Sequence, residues 1–110
     1  MEIRQDTKEN VVILSVIGRL DATTAADLES TLVPMIEKNG GRIILNLDGL
    51  EYISSAGLRI LLLGMKMIKK VAGQMVLCQM KDHIREIFEI AGFLPIFTIV
   101  DSEEDALATF

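Results

Sequence analysis

The 110-residue chain has one cysteine, one histidine, two prolines and no tryptophan, and each scarcity removes a class of structure or chemistry. A lone cysteine closes no internal disulfide, and one Cys with one His cannot assemble a typical metal site. With aromatics at 5% of residues, the stacking platforms that hold single-stranded nucleic acid are missing. Eleven Lys and Arg stand against sixteen Asp and Glu, and the net charge of −5 argues against direct binding to nucleic acid. Partners are therefore expected to be proteins. Half of the residues are hydrophobic, but charges interrupt them throughout, and no stretch nears the roughly 18 apolar residues of a membrane span. The opening Met1-Glu2-Ile3-Arg4-Gln5-Asp6 lacks the basic end and apolar block of a secretory signal. A soluble, cytoplasmic protein of a reducing compartment is the expectation. Neither GxGxxG nor GxxxxGK[ST] occurs, and Gly40-Gly41 reads as a helix stop rather than a phosphate cradle. Without repeats, low-complexity tracts or linkers, residues 1–110 are expected to form one domain with one core.

Apolar periodicity alternates between strand and helix spacing along the chain. Glu2 to Thr7 and Asn10 to Ile17 read as strands of an N-terminal β-hairpin, turned at Lys8-Glu9-Asn10. The second is almost continuously apolar, as a strand covered on both faces is, and Gly18-Arg19-Leu20-Asp21 is expected to end it. Ala25, Leu28, Leu32 and Ile36 share one face of the next helix, with Asp21, Thr23 and Thr24 as its available caps. Pro34 removes one N–H inside that helix and crowds the Ser30 carbonyl, predicting a bend or an early stop. Arg42 to Leu47 is a strand, and a helix then runs to about Lys70. Gln74 to Gln79 is a fourth strand, Asp82 to Ala91 a third helix stopped by Gly92, and Ile96 to Val100 a fifth strand. Ser102, three residues before Asp105, caps a last short helix. The fold class is α/β, with a mixed, mainly parallel sheet of about five strands and about four helices.

The segment from Leu47 to Arg59 delivers two hydroxyls to the point where a buried strand gives way to a helix. A helix beginning near Ser54 or Ser55 leaves its first N–H groups unpaired and places partial positive charge there. A serine oxygen as N-cap, or a phosphate on that serine, is stabilised at such a point. One serine suffices for the cap. Ser55 and Arg59 are four apart, so the guanidinium lies one turn above the hydroxyl, within reach of a phosphoryl group. Ala56 and Gly57 leave room for another protein's active site. Gly57 costs a helix about 1 kcal/mol relative to Ala, which points to a close approach.

Further along this helix Leu58, Ile60, Leu61, Leu62, Leu63, Met65, Met67 and Ile68 cover more of the circumference than one buried face requires. Arg59, Lys66 and Lys70 form a basic stripe with Leu62 and Leu63 at its border and Ser55 at its foot. Such an edge suits a protein partner, and a core helix with a solvated basic edge is the plainer reading of the same pattern.

No nucleophile has a base in view. His83, beside Lys81 and Asp82, reads as a surface residue and Cys78 as a small core residue, so no catalytic residue, metal ligand or cofactor is expected, and the chain is expected not to be an enzyme. Asp21, Asp48 and Glu51 precede helices or turns and could gather where parallel strands end. Spacing alone favours capping for them.

Strand, Gly18-Arg19-Leu20-Asp21, helix, strand and Tyr52-Ile53-Ser54-Ser55-Ala56-Gly57-Leu58-Arg59, in this order, resemble a STAS domain over essentially all 110 residues, and specifically a stand-alone anti-anti-sigma factor. Ser54-Ser55-Ala56-Gly57-Leu58 is the most specific part, and Ala91-Gly92-Phe93 supports it. In that family an anti-sigma factor with serine kinase activity phosphorylates a serine two residues before the Gly-Leu pair, here Ser55, with Ser54 as a rival acceptor. Many members carry aspartate where this chain has Ser54. The resemblance implies partner switching: the unphosphorylated protein binds the anti-sigma factor, and sigma factor is released to RNA polymerase. Asp21, Thr23, Ser54, Ser55, Ala56, Gly57, Arg59, Leu62 and Lys66 are the implied contact residues. Phosphorylation breaks the complex and a phosphatase restores it. STAS domains also serve as accessory subunits of transport complexes, where Ser55 would be only a cap. Nucleotide binding near Asp21 and Ser55 would instead make the domain a ligand sensor.

Overall fold

In the computed structural model, which describes residues 1–110, the apolar run that follows the first turn becomes the strand around which the sheet is built. Strand β1 (Glu2–Lys8) turns through Glu9 and Asn10 into β2 (Val11–Leu20). Both turn residues have positive φ, 54° and 67°, the two-residue geometry whose twist matches the paired strands. Helix α1 (Ala25–Lys38), β3 (Arg42–Asn46), β4 (Leu50–Ile53), α2 (Ser55–Lys70), β5 (Gln74–Cys78), α3 (Asp82–Ile90), β6 (Thr98–Val100) and α4 (Glu103–Leu107) follow. The sheet order is β1-β2-β3-β5-β6, with β4 paired to β2 outside that path. Only the β1 pairing is antiparallel. The expected α/β fold is present, with six strands and four helices.

Alternation along the strands divides the core. Val12, Leu14, Val16, Ile43, Leu45, Met75 and Leu77 face α1, α2 and α3, which contribute Leu28, Leu32, Leu61, Ile68, Ile84 and Phe88. The Phe88 ring meets Phe97 edge-on at 5.6 Å. On the opposite face Val11, Ile13, Ile44, Val76 and Cys78 pack under α4 through Ala106. β2 is thus covered on both sides, as its sequence predicts. Burial pushes the Cys78 thiol up to about 11, so the side chain is a neutral core group.

Four local features differ from the sequence reading. β2 does not stop at Gly18 but runs to Leu20, with a register irregularity between Gly18 and Arg19. Gly18 has φ +100°, and its N–H bonds to Gly49 O at 2.8 Å. The extension exists because it has a partner: Leu50–Ile53, within the stretch read as a direct strand-to-helix passage, forms β4 and pairs with it. The second difference is Pro34, past which α1 continues to Lys38. The third is the start of α1, where no side chain caps the helix; the Asp21 carbonyl accepts from the N–H groups of Thr24 and Ala25 instead, at 3.1 and 2.8 Å. Finally, the last strand begins at Thr98, because Leu94–Ile96, with Pro95 inside, forms a turn of 3-10 helix.

The loops entering β3 and β5 touch at two glycines. A Cβ on Gly73 would stand 2.6 Å from the Gly41 carbonyl oxygen and 2.8 Å from its Cα, atoms that cannot yield without moving backbone. Gln74 N–H also bonds to that oxygen, at 2.6 Å. Gly73→Ala is expected to lower the unfolding free energy by about 2 kcal/mol or more. Gly40→Ala, at φ +67° with open space around it, is expected to lose only about 1 kcal/mol for the left-handed conformation. Urea unfolding of the two variants checks this, and equal losses would contradict the packing assigned to Gly73.

Candidate functional site

Two parallel strand ends create the site. Leu20, the last residue of β2, pairs with Ile53, the last of β4, and Ser54 N–H bonds to Leu20 O at 2.9 Å. Asp21 and Ser54 therefore leave the sheet side by side, one into the turn before α1 and the other into α2. This is the end of a parallel sheet at which α/β proteins commonly bind.

The Asp21 turn is locked by its own hydroxyls. Asp21 Oδ1 accepts from Thr23 N–H at 3.0 Å and from Thr23 Oγ1 at 2.7 Å. Thr24 Oγ1 accepts from Asp21 N–H and donates to Arg19 O, both at 2.9 Å. The Thr23 hydroxyl and N–H hold the Asp21 carboxyl below its ordinary 3.8, with the Arg19 charge adding to the effect. Arg19 also lies over the ring of its cross-strand partner Tyr52, 4.4 Å from the centroid, and its Nε is 3.8 Å from Asp21 Oδ2.

The two serines take different parts. Ser54 is the N-cap of α2, and its Oγ accepts from Gly57 N–H at 3.4 Å. Ser55 is the first helical residue and is exposed, and its hydroxyl bonds to nothing else in the chain. Of the other residues marked in the sequence, Thr23, Arg59 and Lys66 are exposed, while Asp21, Ala56 and Leu62 are half-buried. Gly57 is buried, which corrects the reason given for it. A Cβ there would lie 2.7 Å from Leu20 Cγ and 2.9 Å from Leu20 O. The close approach is of α2 onto β2, not of another protein.

Other candidates disperse. Asp48 borders a separate hollow with Arg4, Ser15 and Gln79, and no group of three His, Cys, Asp or Glu side chains could hold a metal ion. His83 Nε2 donates to Glu51 O at 2.7 Å, tying α3 to β4. The only histidine thus serves a structural bond, and nothing activates the Ser55 hydroxyl from within the chain.

A wall of the site has no counterpart in the sequence reading. Tyr52, Ile53, Ser54, Ser55 and Leu58 face Ile87, Ile90 and Ala91 of α3 and its end across a cleft of about 330 Å³. Ile90 is 87% exposed. The apolar spacing of α3 marks Ile84 and Phe88 as core, but only the packing of α3 against β4 brings Ile87 and Ile90 to Ser55.

Comparison with known proteins bears on this arrangement. The STAS domain family matches residues 2–106. A Bordetella bronchiseptica protein that carries the name anti-sigma factor antagonist BtrV is 42% identical over 110 residues, spanning all of this chain and 95% of that one. The anti-sigma-B factor antagonist of Bacillus subtilis is 30% identical over 106 residues, 94% of this chain and 96% of that one. Among solved structures, the Bacillus cell fate determinant SpoIIAA in its phosphorylated form superposes with a TM-score of 0.73 at 21% identity, covering 98% of each chain. That likeness is one of fold.

Two expectations follow from the geometry. Ser54→Ala is expected to lose about 1 kcal/mol of stability with the cap, and Ser55→Ala to stay within about 0.5 kcal/mol of the parent protein. Thermal or urea unfolding distinguishes them, and the reverse order would mean that Ser55 is the cap. In an NMR titration the Asp21 carboxyl is expected to titrate below 3.8, and Thr23→Val to move it upward while the remaining N–H bond keeps it short of that value. Because the folded-state value is lowered, this carboxylate's stabilising contribution is complete above about pH 4 and is lost as pH falls through the folded value. An unmoved Asp21 in Thr23→Val would place the cause elsewhere.

Proposed function

The chain belongs to the STAS domain family, and we propose that it acts there as an anti-sigma factor antagonist whose binding to an anti-sigma factor with serine kinase activity is switched off by phosphorylation of Ser55. The observation that carries this reading is the division between the serines: Ser54 is committed to the cap, and Ser55 offers a free, exposed hydroxyl at the head of α2. The 42% and 30% identity to proteins named as anti-sigma factor antagonists supports the class of partner. The phosphorylated form of SpoIIAA, a protein of the same fold, supports the type of switch.

The chemistry belongs to the partner. Its kinase site directs Ser55 Oγ onto the γ-phosphorus of ATP, the bond to ADP breaks, and the serine proton passes to a base on the kinase. This chain contributes position. The helix start holds the hydroxyl outward, the Asp21 turn lies beside it through the Leu20 and Ile53 pairing, and Arg59 stands one turn above. The contact surface is Asp21, Thr23, Ser54, Ser55, Ala56, Arg59, Leu62 and Lys66, and Gly57 serves it by seating α2 on Leu20. The antagonist itself is a binding protein and not an enzyme.

Phosphorylation adds a charge of about −1.5 to −2 at the centre of that surface. In the free protein the phosphate is solvated, favoured by the helix N-terminus and within reach of Arg59. In the complex it is buried with only the single charge of Arg59 beside it, which leaves part of its charge unmatched at about 3–4 kcal/mol and weakens binding on the order of 10²- to 10³-fold. A phosphatase that hydrolyses the ester restores the binding form.

Incubation with ATP and the anti-sigma kinase encoded in the same genome, followed by mapping of phosphate by mass spectrometry, tests the switch. Phosphate on Ser55, absent from Ser55→Ala, is the expected result, with loss of the complex on modification. Phosphate on Ser54 would overturn the assignment of the acceptor. A stable complex that is never phosphorylated would favour a constitutive adaptor.

A further inference from the structure

Helix α2 carries Arg59, Lys66, Lys69 and Lys70 and no acidic residue. The whole chain has a net charge of −5, and α2 contributes +4 of it, so the remaining residues carry −9. All four cations are exposed, and none takes part in an ion pair within the chain. At about 100° of rotation per residue, Ser55, Arg59, Leu62, Leu63, Lys66 and Lys70 fall within roughly one 100° sector. The opposite side of the helix is buried through Leu58, Leu61, Gly64 and Ile68. The outward face is therefore an apolar centre, the half-buried Leu62 and the exposed Leu63, with cations above and below, on a molecule that is otherwise anionic.

From this we infer that the far end of α2, Lys66 and Lys70, is an electrostatic steering surface for an acidic face of the anti-sigma partner, and that it works independently of the phosphorylation at Ser55. The inference rests on the partner-binding reading given above. Charge segregation of this kind raises association rates by focusing a partner of opposite sign onto one face. The −9 carried by the rest of the chain opposes approach of an anionic bilayer or a nucleic acid over a wide surface, and on the cationic face of α2 the only apolar side chains are Leu62 and Leu63. An acidic patch on a folded protein, small enough to meet α2 alone, fits both facts.

Independence from the phosphate follows from distance. A helix rises about 1.5 Å per residue, so Arg59 lies about 6 Å along the axis from Ser55, while Lys66 and Lys70 lie about 16 and 22 Å away. The screening length at physiological salt is about 8 Å. A phosphate on Ser55 therefore neutralises Arg59 and leaves the far cations acting on the partner. The two ends of α2 divide the kinetics: the near end, with the acceptor, governs how long the complex lasts, and the far end governs how fast it forms.

Stopped-flow association with the anti-sigma factor between 50 and 300 mM NaCl tests this, using parent protein, the double variant Lys66→Glu/Lys70→Glu and the Ser55-phosphorylated forms of both. Both substitutions are on exposed positions, and matched unfolding curves confirm that the variants fold. The expected result is a parent association rate that falls about tenfold across the salt range. The double variant should associate about tenfold more slowly at 50 mM with a flattened salt response, while its dissociation rate, which also registers the edge contact of Lys66, rises by less than that factor. The same ratio of association rates should hold between the phosphorylated forms. A parent protein that binds with a salt-insensitive rate, or a double variant that associates at the parent rate, overturns the steering surface and leaves the proposed function standing. A parent protein that binds no anti-sigma factor overturns that function and the inference with it. Parent protein, but not the double variant, sedimenting with phosphatidylglycerol vesicles or shifting duplex DNA would overturn the protein partner in favour of a membrane or a nucleic acid.

Discussion

The pairing of Leu20 with Ile53 is the constraint on which the rest of the site depends. It exists because β2 continues past Gly18, where a positive φ and a bond to the Gly49 carbonyl let the strand change register and accept a second parallel neighbour beyond the reach of β3. From that pairing the other features follow in order. Ser54 N–H finds Leu20 O, α2 starts one residue later, and the missing Cβ of Gly57 lets α2 settle against Leu20 and Ile53. Arg19 and Tyr52, opposite one another in the same ladder, stack and bring a cation beside Asp21. A substitution at Gly57 thus disturbs the site through its foundation, although the residue itself touches only its own chain.

The turn before α1 and the start of α2 are two solutions to the same difficulty, unpaired N–H groups at a helix start. At α1 the Asp21 carbonyl takes two of them, which frees the Asp21 side chain to be fixed by Thr23. At α2 the Ser54 oxygen takes one, which frees Ser55. At α1 one residue does both, its carbonyl serving the backbone and its side chain lying at the surface, whereas at α2 the residue after the cap presents the hydroxyl. Backbone satisfaction and surface presentation are assigned to neighbouring groups, so a partner meets groups whose orientation is set before it arrives.

How much of this was legible in the sequence depended on range. The buried run of β2, the core face of α1, the Ser102 cap and the exposed basic stripe of α2 are local patterns, and the structure contains all of them. So is the junction that places a serine hydroxyl at a helix start. β4 was not legible, because Leu50-Glu51-Tyr52-Ile53 is only four residues long and has a strand's reason to exist only when a bulge at Gly18 supplies its partner. Pro34 interrupts α1 less than its chemistry alone predicts: the helix spans it, since the Leu28, Leu32 and Ile36 face is held by packing, and tertiary contacts override one lost hydrogen bond. The α3 wall of the cleft was invisible for a third reason. Ile87 and Ile90 carry the same apolar signal as core residues, and only the docking of α3, with its His83 bond to Glu51, turns them toward Ser55.

The interior contains no buried polar or charged side chain, and this decides what kind of switch such a molecule supports. Strengthened electrostatics require exclusion of water, and here every charged group near Ser55 is in contact with solvent. Alone, the protein has no low-dielectric environment in which a phosphate would be either strongly held or strongly opposed. In the proposed switch, a partner that covered Asp21, Ser55 and Arg59 would supply that environment, and in doing so create the penalty for a phosphate on Ser55. In the proposed switch the energy therefore resides in the complex and not in a strained state of the antagonist. No conformational change is required of it. On that proposal the same surface, uncovered, would tolerate the phosphate, and covered, reject it.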